Sequence, residues 1–216
     1  MKESKSNLPY EVPDNNAYLN IMSKNLSTRN NLVNLNNSNI EDKEIYVNHE
    51  HLLGKKFINN TLNNVHCSDV FKTPVICLFF SSIMCNPSHH FVKDLIELYN
   101  ECNQGVKNLE IIQIPLEKER NLLEKDDKDK TEKFIENSTN LYKQYITDKP
   151  CKPWVFMPCF NNKIEELKII YNIKSTPVLI VLDRKLQVLT FNGRQDIAEH
   201  GYTIGDEWLS KIKEDK

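Results

Sequence analysis

Cys85 is the residue of this sequence best placed to do chemistry, because of the residues around it. It stands in the segment Met84-Cys85-Asn86-Pro87-Ser88, directly before a predicted helix. The exposed N–H groups of a helix N-terminus favour a thiolate, and such positions lower the pKa of a cysteine, about 8.5 when free, by about one to several pH units. Ser88 can hydrogen-bond to that thiolate, and His89 adds positive charge when its ring is protonated. The segment therefore predicts one reactive thiol.

The other five cysteines offer no second reactive group at a recognisable spacing: Cys67, Cys77, Cys102, Cys151 and Cys159. No two of the six form a Cys-x-x-Cys pair, and disulfide frameworks with an even number of cysteines belong to short secreted chains. Cys85 with His89 or His90 has a spacing that zinc tolerates, but no second pair completes a four-ligand site. We therefore expect reduced thiols and no metal site.

Composition narrows the class of protein. The 216 residues carry a formal net charge of −2, and 39% of them are hydrophobic; these values are typical of a soluble globular protein and favour no nucleic-acid partner. The sequence has no run of about eighteen apolar residues for a membrane span, and its first thirty residues lack the apolar core of a secretory signal. We expect a cytosolic protein, with nuclear entry left open.

Apolar patterns after His51 predict alternating strands and helices. The predicted elements, in order, are a strand over 75–80, a helix over 88–102, a strand over 109–114, an amphipathic helix near 134–146, a helix capped by Asn162, strands over 178–182 and 186–191, and a terminal helix capped by Asp206. The last two strands are too close in sequence for a crossover, so they must form an antiparallel hairpin. This order predicts an α/β fold whose mixed central sheet carries helices on both faces.

Two segments stand apart from that domain. Residues 1–48 are rich in asparagine and poor in aliphatic side chains, so they cannot bury enough apolar surface to offset their conformational entropy. We interpret them as a disordered extension. A charged insertion at about 117–133 is typical of a solvated loop. The predicted division is an N-terminal extension over 1–48 and one domain over 49–216.

The residues of the predicted active-site segment resemble those of tryparedoxins and nucleoredoxins, which are thioredoxin-like proteins. In that family the segment reads aromatic-Phe-Ser-Ala-x-Trp-Cys-Pro-Pro-Cys-Arg-x-Phe. Here it reads Phe79-Phe80-Ser81-Ser82-Ile83-Met84-Cys85-Asn86-Pro87-Ser88-His89-His90-Phe91. Further resemblances follow in family order at residues 53–55, 154–158, 171–179 and 193–194. The resemblance implies a thioredoxin fold over about residues 51–213.

Three departures from the family pattern bear on mechanism. Met84 stands in place of tryptophan, Ser88 in place of the second cysteine, and His89 in place of arginine. In a dithiol site the first thiolate attacks a substrate disulfide, and the second cysteine cleaves the mixed disulfide. Ser88 cannot perform that second attack. The resemblance therefore implies a thiol–disulfide oxidoreductase of monothiol, Cys-x-x-Ser type. Such an enzyme needs no bound cofactor, but it does need an external thiol, and glutathione is the candidate co-substrate.

The resemblance also implies a substrate-binding surface. The family keeps a cis-proline facing the reactive cysteine, and Thr176-Pro177 occupies that place, where backbone groups can pair with an extended peptide. Met84, Asn86 and Pro87 complete the expected surface around the thiol. Protein or glutathione disulfides are the expected partners.

Two other functions stay open. Loss of the tryptophan and of the second cysteine favours a redox-inactive binding module of thioredoxin fold. Cys85 and the Thr-Pro pair favour the enzyme, which is the function we predict, with the binding module as the alternative. The third candidate is a peroxidase of related fold, which uses a Thr-x-x-Cys site and a nearby arginine. Here Ser82 replaces the threonine, and the sequence shows no arginine near Cys85.

Overall fold

Seven strands form one mixed sheet in the computed structural model, which describes residues 49–116, 128–148 and 150–214. The strands are β1 (Lys56–Ile58), β2 (Asn64–His66), β3 (Val75–Ser81), β4 (Leu109–Pro115), β5 (Val155–Phe156), β6 (Val178–Asp183) and β7 (Val188–Thr190). Their order across the sheet is β2-β1-β5-β4-β3-β6-β7. Strands β3, β4 and β5 run parallel to one another, and the other pairings are antiparallel. The predicted mixed sheet is confirmed.

The central strands β3 and β4 are buried along their whole length. Successive side chains of a strand point to opposite faces, so both faces of these strands must be covered. On β3, Ile76, Leu78 and Phe80 join one hydrophobic cluster, whereas Cys77 and Phe79 join a second cluster on the other face. The continuous apolar run in the sequence reflects this burial on both sides.

Helices cover both faces of the sheet, as predicted. They are α1 (Cys67–Val70), α2 (Asn86–Cys102), α3 (Lys128–Thr147), α4 (Lys163–Ile170), α5 (Gly193–His200) and α6 (Ile204–Glu214), and residues 49–53 add a helical turn. Helices α1 and α4 bury side chains in the first cluster. Helices α2, α3, α5 and α6 bury theirs in the second. This is the layered α/β arrangement of a thioredoxin fold.

Several predictions about local structure need correction. The predicted cap Asn162 makes no side-chain cap hydrogen bond to α4; instead the side-chain oxygen of Asn161 accepts a hydrogen bond from the Lys163 amide at 2.9 Å. On α3 the predicted apolar face is only partly buried, since Tyr142 and Ile146 are buried while Leu141 is 53% exposed. The predicted antiparallel hairpin, by contrast, is confirmed by the pairing of β6 with β7.

The predicted N-terminal extension, residues 1–48, lies outside the described residues, as do residues 117–127 of the predicted charged insertion. From Lys128 the chain is helical. In the described part of the chain, no helix combines the length and the apolar character that a membrane crossing requires.

Candidate active site at the start of helix α2

The central strand and the second helix together place Cys85. Strand β3 ends at Ser81, a short loop follows, and α2 begins at Asn86 with Pro87 in its first turn. Cys85 is the N-cap residue, with extended backbone angles, and its amide donates a hydrogen bond to the Ser82 carbonyl at 3.1 Å. Its own carbonyl accepts from the Ser88 amide at 2.9 Å. The thiol therefore lies at the N-terminus of a 17-residue helix, where negative charge is favoured.

The sulfur of Cys85 is half-buried and lies against the loop before β6. Its thiol donates to the Thr176 carbonyl, with 3.5 Å between sulfur and oxygen. The Thr176–Pro177 peptide bond is cis, in agreement with the resemblance. Pro177 is buried and Thr176 is half-buried. The structure thus brings the predicted thiol and the predicted Thr-Pro pair together, although they lie far apart in sequence.

The surroundings of the sulfur favour its ionised form. Partial burial by itself raises the pKa of Cys85. That effect is outweighed by hydrogen bonding from the Ser88 and Thr176 side chains and the Ser88 amide, and by the positive charge of Arg194. The pKa of Cys85 consequently lies below its ordinary value. A lowered pKa at a partly exposed thiol is the condition for a reactive cysteine at neutral pH.

Ser88 is the most buried polar group beside the thiol. It is 2% exposed, and its hydroxyl oxygen has no partner at full hydrogen-bond geometry among the described residues. A buried hydroxyl without a partner is costly. Hydrogen bonding by the Ser88 side chain lowers the pKa of Cys85. The Cys85 thiolate is therefore the acceptor that would satisfy the Ser88 hydroxyl.

The other predicted site residues lie around the opening to the sulfur. Met84 is 80% exposed, and Asn86 and Pro87 are exposed as well. The ring of His89 donates from Nε2 to the Ile83 carbonyl at 2.7 Å. His89 therefore holds the backbone of the loop that carries Met84 and Cys85.

A buried hydrogen-bond network fixes the sheet beneath this loop. The Gln113 side-chain amide donates to the Ser81 hydroxyl at 2.7 Å and to the Tyr145 hydroxyl at 3.0 Å, and its oxygen accepts from the Trp154 ring N–H at 3.0 Å. The Tyr145 ring packs edge-on against His89, with 5.6 Å between centroids. Trp154 is buried at 1% exposure and packs in the second hydrophobic cluster.

The remaining cysteines have a different environment from Cys85. All six cysteines lie in the part of the chain that the structure describes, and none of them forms a disulfide bond there. Burial raises the pKa of Cys67 to about 11, that of Cys102 to about 11, and that of Cys77 well above its ordinary value. Cys151 is exposed, and its sulfur accepts from the Asn60 side-chain amide at 3.0 Å. Burial thus acts against the nucleophilicity of Cys67, Cys77 and Cys102.

Arg194 is the site residue that sequence reasoning missed. It is exposed in the first turn of α5, and its charge reaches Cys85. The sequence showed no arginine near the thiol, and the structure corrects that expectation. The resemblance to the family at residues 193–194 includes Arg194, but it does not indicate that this residue lies near Cys85.

Comparisons with known proteins agree with this geometry. A family model described as Thioredoxin-like matches residues 74–188, more than half of the 216 residues. The chain therefore belongs to the thioredoxin-like family. Within that family, the chain is similar in sequence to nucleoredoxins and in fold to tryparedoxins.

Individual relatives are distant in sequence. Probable nucleoredoxin 3 of Arabidopsis thaliana is 29% identical over 107 residues, which are 50% of this chain and 22% of that protein. Thioredoxin of Wuchereria bancrofti has a TM-score of 0.54 at 23% identity, covering 74% of this chain and 97% of that one. A tryparedoxin II complexed with glutathionylspermidine has a TM-score of 0.52 at 18% identity, covering 68% and 86%. The structural matches support the fold, and the chain spans about a quarter of the length of its nucleoredoxin relatives.

Proposed function

We propose that this protein is a monothiol thiol–disulfide oxidoreductase that uses Cys85 as its nucleophile. The observation that carries the proposal is the half-buried thiol at the N-terminus of α2, whose pKa is lowered by Ser88, Thr176 and Arg194. The thiolate is the nucleophile in disulfide exchange, and a pKa close to ambient pH gives the best attacking thiol.

The first step is attack of the Cys85 thiolate on one sulfur of a partner disulfide. The sulfur–sulfur bond of the partner breaks, a new bond forms between Cys85 and the attacked sulfur, and the other partner sulfur leaves as a thiolate. The Thr176 carbonyl, 3.5 Å from the sulfur, and the buried Pro177 lie where the backbone of an extended substrate would pass. Exposed Met84 offers an apolar contact beside it.

The second step requires a thiol from outside the protein. Ser88 occupies the position of a resolving cysteine but has no thiol, so it stabilises the thiolate without cleaving the mixed disulfide. A glutathione thiolate would attack the partner's sulfur in the mixed disulfide, and Cys85 would leave as a thiolate. When that bound group is itself glutathione, the product is glutathione disulfide, and the substrate is a glutathionylated protein.

Two observations support glutathione as the co-substrate class. A tryparedoxin II with a similar fold is complexed with glutathionylspermidine, which is a glutathionyl thiol. Within the described residues none of the six cysteines forms a disulfide bond, which fits a cytosolic or nuclear compartment kept reduced by glutathione.

The proposal is tested with a glutathionylated peptide and the reduced full chain. We expect the peptide thiol to be freed while one glutathione is added to Cys85, as measured by intact and peptide mass spectrometry. Added glutathione should then regenerate the free protein over several turnovers. Cys85→Ser should abolish both steps, whereas Cys151→Ser, which removes an exposed thiol elsewhere, should leave them intact.

A second variant tests the role of position 88. Ser88→Cys should restore a Cys-x-x-Cys pair, so that the mixed disulfide on Cys85 resolves without glutathione and leaves an intramolecular disulfide. If wild-type protein never acquires glutathione and Cys85→Ser binds the same partners as wild type, the protein is a redox-inactive binding module and the enzymatic proposal is wrong.

A further inference from the structure

Three potential metal ligands meet on the opposite side of the sheet's central strands from α2, outside the proposed active site. Glu50 comes from the helical turn at 49–53, His66 is the last residue of β2, and Cys67 begins α1. The Cys67 sulfur lies 3.5 Å from Glu50 Oε1 and 4.0 Å from His66 Nδ1. His66 Nε2 lies 3.9 Å from Glu50 Oε1. One ligand atom from each residue lies within 4.8 Å of the other two.

These separations come close to those of a tetrahedral zinc site. Zinc bonds of about 2.0–2.3 Å at tetrahedral angles place neighbouring ligand atoms about 3.4–3.6 Å apart. The sulfur and the carboxylate oxygen already have such a separation at 3.5 Å. One ring nitrogen lies within 4.8 Å of both other ligand atoms, so the imidazole needs to move by up to about one ångström to bind the same ion. We propose that Glu50, His66 and Cys67 bind one zinc ion, with water as its fourth ligand.

The ligand set selects zinc over the hard cations. A thiolate and an imidazole suit zinc and similar transition metals, whereas magnesium and calcium prefer oxygen ligands throughout. The three residue types are each established zinc ligands. The single carboxylate supplies too little oxygen coordination for calcium, which takes six to eight oxygens.

Neighbouring groups can support the imidazole in this role. His66 Nδ1 lies 2.9 Å from the Ser68 hydroxyl and accepts from the Ser68 amide at 3.2 Å. When Nε2 binds zinc, the ring proton moves to Nδ1, which can donate to the Ser68 hydroxyl and fix the ring. Once Nδ1 carries the proton, it can no longer accept the hydrogen bond from the Ser68 amide that caps α1.

The cluster also leaves an entry path for the metal and one carboxylate oxygen that no cation occupies among the described residues. The side chain of His66 is 53% exposed and that of Glu50 is 29% exposed, so zinc can approach past the ring towards the buried Cys67. Lys55 lies 3.7 Å from Oε2 of Glu50 and is itself 74% exposed, which leaves Oε1 to the metal. Binding displaces the proton of the Cys67 thiol to solvent.

Cobalt(II) is the probe for this site, because a tetrahedral cobalt thiolate gives a charge-transfer band in the near ultraviolet and intense visible bands. We expect the reduced full chain to bind one equivalent of cobalt with both signatures, and zinc to displace it. Cys67→Ser should remove the charge-transfer band. Glu50→Gln and His66→Gln should weaken binding by roughly tenfold or more, the scale on which even outer ligand-supporting groups act.

Matched variants separate this site from the proposed active site. Cys85→Ser and Cys151→Ser should keep the charge-transfer band, and circular dichroism should show that each variant is folded. Because Cys67 is buried and the His66 ring caps α1, Glu50→Gln, which keeps the shape of the side chain, serves as the variant least able to unfold the chain. The proposal is overturned if cobalt does not bind at one equivalent, if the band follows Cys85 instead of Cys67, or if Glu50→Gln and His66→Gln bind as wild type does.

Discussion

Three groups act on the Cys85 sulfur, and only one of them carries a full charge. Ser88 and Thr176 lower the pKa of Cys85 through hydrogen bonding, and their hydroxyls can turn towards a thiolate when it forms. Arg194 contributes through its positive charge. It is exposed, so solvent and salt weaken its effect on the thiol. We therefore expect a modest but salt-sensitive contribution from Arg194, which separates it from the two hydroxyls.

Arg194→Ala should raise the pKa of Cys85, because it removes the positive charge that favours the thiolate. The rate of Cys85 alkylation at neutral pH should fall about two- to fivefold, the scale of an interaction between exposed charges. Iodoacetamide kinetics followed by peptide mass spectrometry over a range of pH would measure both quantities. Lys211→Ala, which removes an exposed cation from α6, is the control and should match wild type. Equal alkylation profiles for Arg194→Ala and wild type would contradict the role given to this charge.

At the scale of elements, long apolar runs made the central strands and α2 predictable. Strand β3 was predicted over 75–80 and is Val75–Ser81, and α2 was predicted over 88–102 and is Asn86–Cys102. Burial on both faces, or along one helical face, leaves a strong pattern in the sequence. Because Cys85 lies between these two elements, its position at a helix N-terminus could be predicted as well.

Shorter or more polar elements escaped prediction for a physical reason. Strand β5 has two residues and β2 has three, too few to show an alternation. Helix α5 has two buried residues, Gly193 and Ile197, so it has no apolar periodicity to detect. Arg194 belongs to this helix, and its approach to Cys85 depends on tertiary packing that sequence spacing does not encode.

Helix α6 packs closely against the end of α2, and the contact depends on a glycine. A Cβ atom at Gly205 would lie 2.2 Å from the Cys102 sulfur. Gly205→Ala should therefore destabilise the protein by about 1–3 kcal/mol, as overpacking does in other cores, although alanine is the better helix former. Urea unfolding would measure the change. Adding Cys102→Ala should restore part of the lost stability, and a fully additive double variant would argue against the contact.

At the scale of the whole molecule, one sheet with two hydrophobic faces separates the two proposed sites. The proposed active site begins where β3 ends and α2 packs on the second cluster. The proposed zinc site uses the β1–β2 hairpin and α1, whose Cys67 belongs to the first cluster. Loss of zinc ligands should therefore leave the Cys85 chemistry intact, which is why the two proposals can fail independently.

The stability of the whole molecule should depend on pH in opposite ways through two of its thiols. In the folded state the pKa of Cys85 is below that of an ordinary cysteine. Its thiolate therefore stabilises the fold above pH 9, and this contribution is lost as pH falls through the folded pKa. Burial, with Asp206 and Glu101 nearby, raises the pKa of Cys102 from 9.0 to about 11. The unfolded chain loses that proton first, so Cys102 lowers stability as pH rises from 9 towards 11.

Urea unfolding of wild type, Cys85→Ser and Cys102→Ser at a series of pH values would resolve the two contributions. The free energy of unfolding of wild type, relative to Cys85→Ser, should rise from neutral pH to pH 9. Relative to Cys102→Ser it should fall between pH 9 and 11. Since serine does not titrate in this range, each variant serves as the control for the other. If both differences in free energy of unfolding change with pH in the same direction, the environment of one of these thiols is not the one described. The difference whose slope has the wrong sign identifies that thiol.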